Sequence, residues 1–454
     1  MEKQPTLLSG GWILSMDPSI GDLRKGDILI EGERITAVAP QIDAPQAERI
    51  DASGMIIVPG FVDTHRHTWQ TCVRHRYAEI DPQIYFREML GAKGAAYRPE
   101  DVYVGTLLGA VAALESGITT MLDWSHVQNS PEHSDAAIFG LRDAGIRGVF
   151  GHGWPLVEGD SWMFSSQRTH PSDIRRLRQQ YFSSDDQLLT LAMAGRGPEM
   201  AQREVWLDDL RVARDLAIRS TIHMGAYARN GGVRAIAQMH EAGVLGDDMT
   251  FVHCCFCGDD EIKMMADAGV SASLGVHCEM NSQGIGDIPF DRLLAAGIKP
   301  SLSGDTETKC AGDMFTQMRH TFAYYRSWVG GQHSRVAQVP ALSLRDVLSF
   351  ATMAGAQANG LAHKVGSLTP GKQADIVMIR ADDLNLAPVS DAIAAVVLAA
   401  HPGNVDTVFV AGQAVKRGGS MLNIDLDALR QRALASQIYV LGDAGAQHAH
   451  GHQH

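Results

Sequence analysis

Between residues 56 and 303 eight short apolar stretches are separated by seven longer segments with apolar residues at helical spacing. The apolar stretches, read as strands, cover residues 56–65, 117–123, 146–150, 188–192, 220–223, 250–253, 270–274 and 299–303. The segments read as helices cover residues 101–115, 135–144, 171–182, 203–217, 233–242, 259–268 and 290–296. A helix between consecutive strands carries the chain back across the sheet, so the strands run parallel with right-handed crossovers. Eight such units close into a (β/α)8 barrel, the TIM-type α/β fold. An open doubly wound sheet is the competing arrangement, but no Gly-x-Gly-x-x-Gly turn is present to mark its ligand crevice.

In such a barrel the chemistry gathers at the carboxyl ends of the strands. The polar residues there are His65 and His67, Asp123, His152, His223, His253, His277 with Glu279, and Asp305. The first pair ends the stretch Val58-Pro-Gly-Phe-Val-Asp-Thr-His-Arg-His67, and residues at spacing two point to one side of an extended strand. Both imidazoles then face one point, as two ligands of one metal ion must. Two polar side chains at a strand end are the plainer explanation, and 19 histidines in 454 residues make a chance pair unremarkable. Imidazoles and carboxylates are costly at buried strand ends unless paired or ligated, so their recurrence at so many ends points to a site.

The flanks have another texture. Residues 6–50 read as short strands and hairpin turns, and residues 365–379 and 405–415 return to that pattern after helical stretches at 312–327 and 344–359. Each β segment alone has too little core to stand, so the two are expected to pair into one small composite β-sandwich beside the barrel. The expected organisation is 1–58 and 363–424 for the sandwich, 59–362 for the barrel, and 425–454 for a terminal helix and a His-rich tail. A net charge of −13 argues against nucleic-acid or anionic-membrane partners, which demand basic patches. The N-terminus lacks a basic segment followed by an apolar one, so a cytoplasmic location is expected. Six cysteines in a chain this long do not make a disulfide framework. Cys254, Cys255 and Cys257 beside His253 have no second pair at zinc-ribbon spacing, and read as small buried residues.

Pro59-Gly-Phe-Val-Asp-Thr-His-Arg-His67 resembles the first-strand motif of the amidohydrolase superfamily. Later residues resemble its branch of cytosine, guanine and S-adenosylhomocysteine deaminases and triazine hydrolases, over about residues 7–417. The resemblance implies a metal held by His65, His67, His223 and Asp305, with Asp305 also the general base and His253 polarising the bond under attack. Three imidazoles and a carboxylate suit zinc best, with iron(II) as the alternative. Binuclear relatives bridge their ions with a carboxylated lysine at the fourth strand end; here no lysine occurs between Lys93 and Lys263, which implies one ion per chain. Glu279 joins Asp305 and His253 as an expected catalytic residue, and His253, His277, Trp69 and Glu307 are expected to touch substrate. A homo-oligomer is implied by resemblance.

One departure bears on the chemistry. Deaminases of this branch carry His-x-x-Glu at the fifth strand, the glutamate shuttling protons to a ring nitrogen, whereas this chain reads His223-Met-Gly-Ala226. Either the substrate needs no ring protonation, the preferred reading, or Glu279, His277 or Glu307 has taken over. The expected function is therefore a mononuclear metal-dependent hydrolase attacking a non-peptide C–N bond of a small cyclic amide, amidine or N-heterocycle. The alternatives are a hydrolytic dehalogenase of a triazine-like ring and a barrel that binds metal and ligand without turnover.

Overall fold

The computed structural model describes residues 4–442, so the His-rich tail at 446–454 lies outside the described residues. The chain opens with β1 (Thr6–Leu14), β2 (Asp22–Glu31), β3 (Arg34–Ala39), β4 (Glu48–Asp51) and β5 (Met55–Pro59). Eight strands follow in sequence order: β6 (Phe61–Arg66), β7 (Ile118–Ser125), β8 (Arg147–His152), β9 (Leu189–Gly195), β10 (Arg219–Met224), β11 (Met249–His253), β12 (Ser271–Leu274) and β13 (Ser301–Leu302). All their pairings are parallel, as intervening helices dictate. The final four are β14 (Ile376–Arg380), β15 (Val405–Val410), β16 (Gln413–Arg417) and β17 (Ser420–Met421).

The expected first strand, 56–65, is in fact two strands in two sheets. The break falls at Gly60, where a Cβ would lie 2.0 Å from Thr119 Oγ1, so the chain turns from one sheet into the other through a residue without a side chain. The eighth strand is shorter than expected, two residues instead of five. Past its end, the Asp305 amide donates to the His65 carbonyl and the His67 amide to the Asp305 carbonyl, both at 2.9 Å. These bonds tie β6 to the segment after β13 and hold Asp305 beside the two histidines. Between these strands the Thr64 hydroxyl shares hydrogen bonds with Ser273 and Ser301, a satisfied polar plug in an otherwise apolar interior.

The flanking strands form one mixed sheet in the order β17-β16-β15-β14-β5-β1-β2-β3, with β4 on β1. The expectation that the two ends of the chain share a sheet holds: β14 runs antiparallel to β5, Ile376 opposite Pro59. The sheet curls until Ile35 meets Gly371 and Lys372 through backbone hydrogen bonds, enclosing a core that includes Leu8, Ile28, Ile57, Ile376 and Phe409. The helix expected at 344–359 is broken into Leu344–Phe350 and Met353–Ala358, because Thr352 leaves helical geometry at φ −132°, ψ −83°. The terminal helix, Leu426–Leu441, packs back onto the barrel helix Pro99–Glu115, with Arg98 over the Tyr439 ring. Among the described residues no helix is long and apolar enough to cross a membrane.

Candidate metal centre and active-site cavity

Strand β6 delivers His65 and His67 at its end, and the bond between the two backbones brings Asp305 against both. One carboxylate oxygen of Asp305 lies 3.5 Å from His65 Nε2 and 3.5 Å from His67 Nε2. Strand β10 adds His223, whose ring centroid is 4.7 Å from that of His65, and β11 adds His253, 5.4 Å from His223. Candidate ligand atoms of His65, His67 and Asp305 fall within 4.8 Å of one another, as do those of His65, His223 and His253. His253 (φ 75°) and Asp305 (φ 50°) hold left-handed backbone conformations, each costing on the order of 1–3 kcal/mol. The fold therefore spends stability on aiming two side chains at one point.

Hydrogen bonds fix what each ring can offer. His67 Nδ1 donates to the Trp124 carbonyl at 2.8 Å, which leaves Nε2 with a lone pair toward Asp305. Burial, reinforced by His65, pushes His67 down to about 3, and burial likewise drives His223 well below the ordinary imidazole value. Both rings are thus neutral, the form that ligates metal. Among the described residues, both nitrogens of the fully buried His65 and Nδ1 of His223 have no hydrogen-bond partner. Burial opposes charge on His253, but the Glu279 carboxylate at 2.9 Å from Nδ1, with Asp305, lifts it above the ordinary value. Burial also opposes charge on Asp305, yet its contact with and attraction to His65, joined by His253, hold it well below the usual carboxylate range.

These groups line one cavity with Trp124, Trp154, His126, Tyr85, Met163 and Met200. Of the expected residues, His67, His223, His253 and Asp305 line it directly, and His65 sits directly behind them. Glu279 does not: one of its oxygens holds His253 and the Gly275 amide, so it braces His253 from behind. Three residues expected to touch substrate lie off the cavity lining. Trp69 is fully buried behind the wall, edge-on to Tyr97 and His126. His277 stacks on His320, with its Nδ1 accepting from the Ala311 amide. Glu307 turns outward to Arg74 at 3.0 Å. Cys254, Cys255 and Cys257 are buried free thiols, as expected.

Three charged groups on the cavity wall escaped the sequence reading, Lys309, Glu199 and Arg229. Lys309 is buried, with Nζ 3.4 Å from Ser282 Oγ and 4.6 Å from the Tyr85 ring centroid, and no carboxylate within 4.0 Å among the described residues. Glu199 belongs to the short helix Gly197–Met200 that follows β9, and one carboxylate oxygen accepts from the Gly225 amide at 2.6 Å. The signal for Glu199 was a carboxylate just beyond a strand end, hidden because the fourth strand runs to Gly195 and not to Ala192.

A parallel eight-stranded barrel with imidazoles and an aspartate converging at its carboxyl end is the architecture of a metal-dependent barrel hydrolase. The Amidohydrolase family profile matches residues 56–415, and the chain belongs to that family. It is 27% identical to a 5-methylthioadenosine/S-adenosylhomocysteine deaminase of Symbiobacterium thermophilum, over 90% of this chain and 93% of that protein. It is 26% identical to a 5'-deoxyadenosine deaminase of Methanothermobacter thermautotrophicus, over 97% of this chain and 100% of that protein. In fold it is similar to a zinc-bound adenosine deaminase from Xanthomonas campestris, with TM-score 0.84, 20% identity, and coverage of 96% and 98% of the two chains. A triazine hydrolase from Arthrobacter aurescens superposes equally well, with TM-score 0.84, 20% identity, and coverage of 96% and 100%. The chain is an enzyme, a hydrolase of carbon–nitrogen bonds other than peptide bonds.

Proposed function

We propose that the cavity hydrolyses an exocyclic C–N bond on a small aromatic N-heterocycle, releasing ammonia or an amine, with one divalent ion held by His65, His67, His223 and Asp305. The observation that carries the reading is the pair of unpartnered nitrogens on the fully buried His65, set among His67, His223 and Asp305. Stranding a polar atom this way costs about 1–3 kcal/mol, and an ion ligated by one nitrogen of His65 removes that cost for the atom it takes. Zinc or iron(II) suits the donor set, and when bound it supplies a water acidic enough to attack near neutral pH. A single ion is favoured because β9 brings no lysine: its end carries Arg196, whose guanidinium turns away to Asp209 at 2.6 Å.

The chain's own residues do the rest. Asp305, held ionised, accepts the proton of the attacking water. His253, braced by Glu279, faces the carbon under attack and stabilises the charge that develops on its substituents. The wall of Trp124, Trp154, Met163 and Met200 fits a flat apolar ring. Lys309 supplies an unpaired cation for an oxygen or nitrogen acceptor on the substrate. The relatives act on adenosine-type compounds by name, and that chemical class leads the candidates.

The test is metal analysis on a chain ending at residue 442, with ammonia release assayed over aminopurine ribosides, free aminopurines, aminopyrimidines, aminopteridines and aminotriazines. One equivalent of metal and ammonia from at least one class are expected. Two equivalents would overturn the single-ion reading. Halide release from chlorotriazines without ammonia would favour the dehalogenase, and binding without turnover the inactive barrel.

A further inference from the structure

The carboxyl of Glu199 has no part in holding His253 or the candidate metal ligands, yet it lines the same cavity as His223, His253 and Asp305. Its placement is specific. The helix Gly197–Met200 starts from a left-handed glycine, Gly197 at φ 60°, and one carboxylate oxygen takes the Gly225 amide at 2.6 Å. Gly225 is itself left-handed, φ 54°, and a Cβ there would lie 2.8 Å from Cys257 Sγ, so the turn that offers this amide needs glycine. Gly225 immediately precedes Ala226, which is also on the cavity wall. The loop after the fourth strand therefore delivers a carboxyl to the turn that follows the fifth strand, the turn that carries Ala226.

We infer that Glu199 is the proton-transfer residue of this site, and that the substrate is a ring amidine whose endocyclic nitrogen it protonates. This rests on the hydrolytic reading above and narrows it. The water oxygen bonds to the amino-bearing ring carbon as its proton passes to Asp305. The C=N pair moves onto the ring nitrogen, which takes the proton of Glu199. Collapse expels the exocyclic nitrogen as ammonia carrying the proton held by Asp305, and the second water proton returns to Glu199 as the carbonyl forms. Amidine and water become lactam and ammonia.

The surroundings keep Glu199 in the form this needs. Burial, joined by the charge of Glu261, pushes its carboxyl up to about 7, against the opposing pull of the Gly225 amide, His253 and Asn230. The other titratable or charged groups lining the cavity are His67, His126, His223, Arg229, Asp305 and Lys309, with Tyr85, Tyr227 and Cys278. A proton donor must be protonated, so turnover should fall as pH rises through about 7.

The experiment compares wild type with Glu199→Gln, Glu199→Ala and Glu199→Gln/Ala226→Glu on the aminated-ring panel, with metal content, circular dichroism and pH profile measured for each. Glu199→Gln should keep its metal and fold and lose about 10²–10⁴-fold in kcat. The alkaline limb should vanish from its residual rate, and Ala226→Glu should restore part of it. Wild type active on ring amidines with Glu199→Gln within about threefold overturns the inference and leaves the hydrolytic reading standing. Loss of metal in both single variants also overturns it, since Glu199 would then serve site assembly. A wild type that cleaves only exocyclic amides or carbon–halogen bonds, or nothing on the panel, overturns both.

Discussion

The two ends of the barrel bury comparable polar groups and treat them oppositely. At the amino end, Arg147 at the start of β8 is 1% exposed and makes two hydrogen bonds to Asp375, at 2.9 and 3.1 Å, with a further one to Gln373. Asp375 in turn accepts from the Ala411 amide, so this buried ion pair is hydrogen-bonded from both the barrel and the sheet. Lys416 near it donates to the Glu115 carbonyl at 2.7 Å. At the carboxyl end, His65, His223 and Glu279 keep buried atoms with no hydrogen-bond partner among the described residues. The amino end also carries an open groove, lined by Ala266, Gly297, Lys299, Met353 and Lys372, in which no imidazole or carboxylate takes part. A concavity without stranded polar groups is a seam between helices. A site is recognised by what its polar atoms still lack.

The sharpest way to break this comparison is at His65 and Asp305. His65→Ala should abolish tight metal binding, read by metal analysis on the shortened chain. Asp305→Asn should lower kcat by at least about 10²–10⁴-fold, since an amide cannot take the water's proton. If Asp305→Asn turned over near the wild-type rate, the base would be another group.

Next in size is the opposite end. Arg147→Met leaves the Asp375 carboxylate buried and unpaired, which should cost about 3–5 kcal/mol in urea unfolding. Metal per folded chain should not change. If metal were lost while the chain stayed folded, the two ends would be coupled and the contrast between them false.

Two smaller effects refine the site. Glu279→Gln removes the carboxylate that braces His253 and should lower kcat/KM by about 10–100-fold with the metal retained. Lys309→Met should act on KM more than on kcat, by about 10–100-fold, as expected for a charge-assisted contact worth roughly 1.5–3 kcal/mol. A change confined to kcat would place Lys309 in the chemistry. Smallest of all, His277→Ala should alter kcat and KM by less than about twofold, because its ring is committed to His320 and Ala311.

Much of this architecture was legible in the chain itself. Alternating strand and helix periods forced parallel strands, and spacing two put His65 and His67 on one side, because both are local geometry repeated along the backbone. The cluster of polar residues at strand ends pointed to the face of the barrel that holds the cavity lined by His67, His223, His253 and Asp305. The expected substitutes for the carboxylate missing at Ala226 were Glu279, His277 and Glu307, and none of them reaches the cavity wall. Whether a residue just past a strand end faces inward depends on the turn it sits in and on which neighbour takes its hydrogen bonds. Trp69 lies two residues beyond His67 and still packs outward against Tyr97, whereas Glu199, four residues past β9, swings in to meet Gly225. Sequence thus determined the strands, their direction and the first two candidate ligands. Tertiary structure decided the split at Gly60, the docking of Asp305 on β6 and the entry of Glu199, since each depends on atoms brought together from distant parts of the chain, which no local period encodes.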